Sequence, residues 1–320
     1  MIRLEGVHKR YGRFTAVHPL DLHVRRGELF GFLGPNGAGK TTTIRMVAGV
    51  LQPTGGRILI GGHDVVREPA AARRLIGYIP DRPYVYEKLT GAEFLRFANG
   101  LWGHTGEEAE RRADELLELF DLAPWKHTLV ENYSHGMRQK LLISAALVHR
   151  PELIVVDEPM VGLDPKGARL IKDLLRSFVQ QGGTVFLSTH TLEVAEALCD
   201  RIAILHEGRV RAIGTMDDLR REAEAGTAGL EDVFLKLTQA ERVSEVVAAA
   251  LPWPGHPGQG VGEGGGGGDR AGRGNGSGVS DGDASAALAA ASTPALARAE
   301  GQRGGVPSPR PGAGAGGQGK

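Results

Sequence analysis

Short apolar runs recur along this chain. Glu28 to Leu33, Leu153 to Val156 and Thr184 to Leu187 carry almost no polar side chains. Bounded by turn formers, such runs read as buried strands. Between and after them, Ala168 to Phe178 and Leu192 to Leu198 repeat apolar positions at helical spacing, and Arg201 to Leu205 adds another strand. Strand and helix alternating from residue 151 onward predict a parallel sheet joined by crossover helices.

The first third reads differently. Ile2 to Val7 and Phe14 to Val24 hold alternating or β-branched runs, and Arg57 to Ile60 leads into a Gly61-Gly62 turn, so this section is strand-rich. From about 91 to 150 the pattern is helical, with Ala109, Ala113, Leu116, Leu117 and Phe120 on one face among charged residues. His206-Glu207-Gly208 predicts a hairpin turn into Arg209 to Gly214, and Leu230 to Leu237 a last amphipathic helix.

Composition changes this picture mainly at one end. Of the 48 glycines, 22 lie within residues 252–320, with seven prolines and one aromatic, Trp253. A stretch so poor in apolar bulk cannot offset its ordering entropy. Residues 252–320 are therefore expected to form a disordered Gly/Pro/Ala-rich tail, with 241–251 closing the folded region. Basic and acidic side chains balance at 38 each, which gives no electrostatic reason to expect nucleic acid or anionic lipid as main partner. The single cysteine, Cys199, cannot close an intrachain disulfide and reads as a buried structural thiol. Charged residues between Arg3 and Arg10 interrupt any export signal, and no run of about 18 apolar residues could span a bilayer. A soluble protein is expected, reaching a membrane only through partners.

The candidate chemistry sits where the apolar runs end. Gly34-Pro35-Asn36-Gly37-Ala38-Gly39-Lys40-Thr41-Thr42 satisfies the phosphate-loop pattern G-x-x-x-x-G-K-[ST]. Glycines let consecutive backbone N–H groups turn inward on an anion, Lys40 supplies a point charge for the β- and γ-phosphates, and Thr41 a hydroxyl for Mg²⁺. Helical spacing from Thr42 to Leu51 turns a helix N-terminus toward the phosphates. Leu153 to Val156 runs into Asp157 and Glu158, two carboxylates at the carboxyl end of a strand, where ligands of parallel sheets collect. Asp157 suits Mg²⁺, and Glu158 suits orienting or deprotonating a water. His190 follows the Thr184–Leu187 strand through Ser188-Thr189, within reach of a γ-phosphate.

Taken together, residues 1 to about 240 closely resemble the nucleotide-binding subunit of ATP-binding cassette transporters. Gly34 to Thr42 is similar to the family's phosphate loop, Leu153 to Glu158 to its second nucleotide motif, Gly162-Leu163-Asp164 to its Asp-containing loop, and His190 to its switch histidine. Tyr133-Ser134-His135-Gly136-Met137-Arg138-Gln139 stands in the place of the signature motif, and Tyr11 in that of the aromatic that stacks on adenine. The usual signature is Leu-Ser-Gly-Gly-Gln; Tyr133 and His135 replace its Leu and first Gly, while Ser134 and Gly136 remain. Its form resembles that of the type-2 export branch. At Asp81 a carboxylate stands where the family has Gln. It can ligate Mg²⁺ or accept from water but lacks the amide donor, and with Pro80 and Pro83 it equally shapes a turn.

What the resemblance implies is an α/β fold: a P-loop NTPase cassette with a RecA-like core, an antiparallel β subdomain and an α-helical signature subdomain at about 81–150. Two nucleotide-binding subunits, identical or different, would sandwich two molecules of ATP, each contacted by Lys40 and Thr41 of one chain and by Ser134 and Gly136 of the other, with Asp164 also among the nucleotide-binding residues. Integral-membrane permease subunits would hold the protein at the inner face of the cell membrane and carry the cargo. The alternatives are a soluble cassette ATPase acting on ribosomes or DNA, which usually carries two cassettes or a long coiled coil, and a P-loop kinase, which has no use for the signature segment.

Overall fold

Alternating and continuous apolar runs separate into two sheets. The computed structural model describes residues 1–238 apart from Pro83, Ala225, Thr227 and Ala228, so the end of folding expected at 241–251 and the tail over 252–320 lie outside the described residues. Strands β1 (Ile2–Tyr11), β2 (Phe14–Val24), β4 (Gly55–Ile60) and β5 (His63–Asp64) form an antiparallel sheet in the order β2-β1-β4-β5. In β2, Leu20, Leu22 and Val24 are buried while Asp21 and His23 face water, as one solvated face requires.

The second sheet has the order β10-β9-β3-β8-β7-β6 and is built from β3 (Leu29–Leu33), β6 (Ile76–Ile79), β7 (Leu153–Asp157), β8 (Thr184–Thr189), β9 (Arg201–His206) and β10 (Arg209–Gly214). Every neighbouring pair is parallel except the β9–β10 hairpin. β3 and β7 are wholly buried, which explains their unbroken apolar sequence. Phe30 and Phe32 on β3 share one face with Phe186 on β8, with ring centroids 5.9 and 5.5 Å from it. This aromatic group packs with α1 (Lys40–Val47) and the antiparallel sheet.

Helices α3 (Gly91–Leu101), α4 (Glu107–Leu119) and α5 (His135–Leu147) pack together, and their buried faces join the core cluster that runs onto β7 and β8. The remaining helices are α2 (Pro69–Arg74), α6 (Pro165–Gln180), α7 (Leu192–Leu198), α8 (Met216–Glu222) and α9 (Leu230–Thr238). The helix ends are chemically marked. Thr90 and Glu93 close a capping box on α3, Thr215 and Asp218 another on α8, and Ser134 and Asp164 cap α5 and α6. Each such cap contributes about 1 kcal/mol.

Some elements depart from the sequence pattern. α1 starts at Lys40 and stops at Val47, because Gly49 takes a left-handed φ of 69° that ends the helix before Leu51. β6 gives little periodic signal in four residues, yet pairing with β7 holds it extended; its Gly77 admits the Ala146 carbonyl, which a Cβ would meet at 2.6 Å. Cys199 lies just past α7 in an extended conformation, with burial pushing its thiol pKa far up. No helix among the described residues is long and apolar enough to cross a membrane.

Candidate functional site

A cleft of about 500 Å³ opens at the carboxyl ends of β3, β7 and β8, where ligands gather in open parallel sheets. Its lining draws Tyr11 and Phe14 from the β1–β2 turn, Asn36, Gly37, Gly39, Lys40, Thr41 and Thr42 from the loop after β3 and the start of α1, Asp81 from beyond β6, and Glu158 and His190 from beyond β7 and β8. Ala16 and Val161 complete the wall.

Glycines let the loop after β3 pass close to its neighbours. A Cβ at Gly34 would stand 2.3 Å from the Leu205 carbonyl oxygen, and one at Gly39 2.6 Å from that of Ala16. Gly37 and Gly39 also hold φ values of 82° and 102°, conformations that side chains with a Cβ rarely adopt. Gly39 is the N-cap of α1, so the first N–H groups of that helix border the cleft. Gly34 and Ala38 are buried behind the loop, whereas Pro35 lies exposed at its turn. Lys40 arches back, its Nζ donating to the carbonyl oxygens of Gly34 at 2.7 Å and Pro35 at 3.2 Å. Burial pushes its pKa down, and the carboxylates of Glu158 and Asp157 oppose the shift.

Register brings the acids and the histidine together. Asp157 pairs with Ser188 across β7 and β8, so the residues that follow, Glu158 and Thr189, are neighbours at the sheet edge. β8 stands between β3 and β7, yet Glu158 Oε1 still comes to 3.9 Å from Lys40 Nζ and 2.8 Å from His190 Nδ1. Thr189 Oγ1 donates to Glu158 Oε2 at 3.3 Å. Glu158 holds a left-handed φ of 49°, fixed by its N–H donating to the Ser188 carbonyl at 3.1 Å. Asp157 is almost fully buried; Ser188 Oγ donates to its Oδ1, while Oδ2 has no hydrogen-bond partner. Tyr78 lies close enough that burial first, and the charge of Asp157 next, raise its phenol pKa. An orphaned carboxylate oxygen in this setting, with the Thr41 hydroxyl in the cleft, is a donor set that fits Mg²⁺.

Three expected contact residues lie elsewhere. Ser134 Oγ accepts from the Met137 N–H at 3.2 Å as the cap of α5, and Gly136 follows in its first turn; neither lines the cleft. Asp164 also stands outside it, its Oδ1 accepting from the Gly167 N–H at 3.0 Å as the cap of α6. Tyr133, in the place of the usual leucine, is buried and donates its hydroxyl to the Trp125 carbonyl at 2.8 Å. Sequence reasoning missed Phe14, Ser188 and Thr189. Phe14 is the cross-strand partner of Tyr11, so the hairpin register would have revealed it. The two hydroxyls gain their meaning only once β8 is inserted beside β7.

Comparison with known proteins bears on the family and the fold. A family profile described as ABC transporter matches residues 17–161. The daunorubicin resistance ATP-binding protein DrrA3 of Streptomyces coeruleorubidus is 44% identical over 247 residues, 74% of this chain and 78% of that protein. The linearmycin resistance ATP-binding protein LnrL of Bacillus subtilis (strain 168) is 39% identical over 73% of this chain and 78% of its own length. Among solved structures, an ATP-binding subunit of an ABC transporter superposes with a TM-score of 0.71 at 36% identity, covering 74% of this chain and 99% of that one. A dimeric ATP-binding cassette in a post-hydrolysis state with ADP and Pi gives a TM-score of 0.63 at 27% identity, covering 68% and 99%.

Proposed function

The chain belongs to the ABC transporter family as an ATP-binding, ATP-hydrolysing subunit, and from that premise we propose how its cleft couples ATP to a membrane partner. Adenine stacks on Tyr11 with Phe14 beside it, and the loop amides and Lys40 hold the phosphates. Thr41 and Asp157 hold Mg²⁺, with Asp81 bordering the same cleft; the ion, when bound, offsets phosphate charge. Glu158 takes the proton from the attacking water, and His190 steadies the γ-phosphate. A positioned base of this kind contributes about 10²–10⁴ in rate.

The observation that carries the reading is the split of the site. Lys40, Thr41, Glu158 and His190 share one cleft, while Ser134 and Gly136 begin a helix outside it. A second subunit turned head to tail supplies the missing helix N-terminus to the γ-phosphate. Closure then requires ATP, and hydrolysis opens the sandwich through charge repulsion and phosphate release. The dimeric cassette among the structural relatives supports this arrangement.

The permease docks, on this reading, in an apolar cleft of about 710 Å³ lined by Tyr84, Tyr86, Phe97, Leu101 and Trp102. Tyr84 and Tyr86 are 73% and 60% exposed although the Tyr86 ring meets Phe97 edge-on at 5.2 Å, so the aromatic group presents its outer face to a partner. The segment that bears them runs directly from Asp81 in the nucleotide cleft, so nucleotide state reaches the docking face through a few residues. Relatives named for drug resistance favour an exporter, and with them the reading as a ribosome- or DNA-directed ATPase is set aside. Affinity purification from native membranes tests it: a multi-span protein should co-purify with the parent chain and be lost in a Tyr84→Asp/Leu101→Asp variant. Retention of the same partner by that variant contradicts the docking site.

A further inference from the structure

Asp157 and Ser188 form a buried pair on one face of the parallel sheet. Alternation puts Leu153, Val155 and Asp157 on the same side of β7, and Phe186 and Ser188 on the same side of β8. Leu153, Val155 and Phe186 share a core cluster with Ile44 of α1, so the pair continues the face that this helix covers. α1 opens with Lys40 and Thr41. Ser188 and Asp157 are 0% and 1% exposed, polar groups at the end of an otherwise apolar face.

The two oxygens of Asp157 are treated differently. A serine hydroxyl has one proton to give, and Ser188 Oγ gives it to Oδ1; Oδ2 is buried without a partner. The backbone holds the serine in place for this bond. Ser188 stands in register with Asp157, and its carbonyl accepts the Glu158 N–H at 3.1 Å. An alanine at position 188 would suit the apolar face equally well and would leave both oxygens open. The hydroxyl therefore divides the carboxylate into one bonded and one open oxygen.

We infer that Ser188 is a positioning residue that sets metal selectivity: by occupying Asp157 Oδ1 it leaves a single oxygen for the ion, which suits Mg²⁺ and disfavours Ca²⁺. The inference rests on the reading above, in which Thr41 and Asp157 hold the metal of the nucleotide complex. Mg²⁺ is small, keeps several waters and is satisfied by one oxygen of a carboxylate. Ca²⁺ is larger, accepts more oxygen ligands and gains from a carboxylate that offers both. Here the second oxygen becomes available only when the Ser188 hydrogen bond is given up.

The test is calorimetry of the full chain with the non-hydrolysable imido analogue of ATP, in excess Mg²⁺ and in excess Ca²⁺. The proteins are the parent, Ser188→Ala and Ser188→Thr, with melting temperatures alongside. What is read is the Kd in Ca²⁺ divided by the Kd in Mg²⁺, a ratio in which any general weakening of the site cancels. The parent should bind the Mg²⁺ complex more tightly. In Ser188→Ala the ratio should fall about five-fold or more, the scale set by one hydrogen bond. Ser188→Thr keeps the hydroxyl and should keep the parent ratio. A packing role alone would lower the melting temperature and weaken both complexes alike. A parent with no preference for Mg²⁺, a Ser188→Ala ratio equal to the parent's, or a Ser188→Thr ratio like that of Ser188→Ala overturns the inference. Asp157→Asn, run in parallel, tests the premise separately. Parent-like binding of both complexes there removes the premise, whereas a weakened Mg²⁺ complex beside an unchanged Ser188→Ala ratio removes only the role of the serine. If Ser188→Ala folds poorly, Ser188→Cys decides: its thiol is a weaker donor, so the ratio should again fall, and a parent ratio overturns the inference.

Discussion

His190 Nδ1 lies 2.8 Å from Glu158 Oε1, and the two residues leave the adjacent strands β7 and β8 one and two positions beyond the registered pair Asp157–Ser188. The imidazole and Lys40 Nζ thus meet the same carboxylate oxygen, which places base, histidine and phosphate-binding cation at one point of the cleft. Each partner of that carboxylate has a separable consequence.

Glu158→Gln keeps the shape and removes the charge. ATP hydrolysis should fall by about 10² or more, as loss of a positioned base implies. ATP binding measured by calorimetry should persist, and ATP should now hold the chain as a dimer in light scattering. Turnover at the parent rate would assign the base to another group.

Thr189 holds the carboxylate from the other side. Its Oγ1 accepts from the Thr191 N–H at 3.0 Å, so its one proton is free to go to Glu158 Oε2. Thr189→Val keeps the volume and loses that bond; kcat should fall about ten-fold, the equivalent of about 1.4 kcal/mol, with KM for ATP unchanged. Thr189→Ser should restore most of it. A rise in KM at constant kcat would show that Thr189 acts on binding instead.

Gly34→Ala probes the cradle without touching a charge. The new methyl must push the loop off the Leu205 carbonyl, and overpacking of this kind costs about 1–3 kcal/mol. Calorimetry should find ATP affinity reduced at least about ten-fold, one decade per about 1.4 kcal/mol. Parent-like affinity would mean that the loop need not hold this path.

His149 sets a pH dependence of stability away from the cleft. Its ring stacks on Trp102 at 4.1 Å, Nε2 meets the Ile76 carbonyl at 3.0 Å, and Nδ1 is buried without a partner. Burial holds its pKa below the ordinary value, so the folded chain keeps it neutral. The unfolded chain takes up the proton near about pH 6.5, which means stability is whole above that pH and is lost as pH falls toward the lowered folded value. His149→Gln should therefore lose less stability than the parent between about pH 7.5 and about pH 5.5 in denaturant titrations. An equal loss in both proteins would exclude this histidine.

The core of the fold was legible because its signals are local and repeated. Continuous apolar runs marked β3, β7 and β8, and helical spacing marked α7 within the same bounds as the structure. β6 was not legible as a strand, since its four residues include Gly77 and depend on pairing with β7. For the site, residues that lie consecutively after a strand could be read, such as Gly34 to Thr42 and Asp157-Glu158. The Thr189 and Ser188 bonds depend on strand order, which places β8 between β3 and β7 and is not encoded in any short stretch. Asp164 illustrates the converse: a residue singled out by resemblance spends one carboxylate oxygen capping α6 of its own chain.

Complementation between two inactive chains tests the shared site most directly. Lys40→Ala and Ser134→Ala should each hydrolyse almost no ATP alone, because every homodimer lacks one half of both sites. Mixed in equal amounts, random two-fold pairing rebuilds one intact site in half of the dimers, so activity should return well above that of either component, with about a quarter of the parent's as the ceiling set by independent sites. A mixture no more active than its separate components, or Ser134→Ala active by itself, would contradict the account.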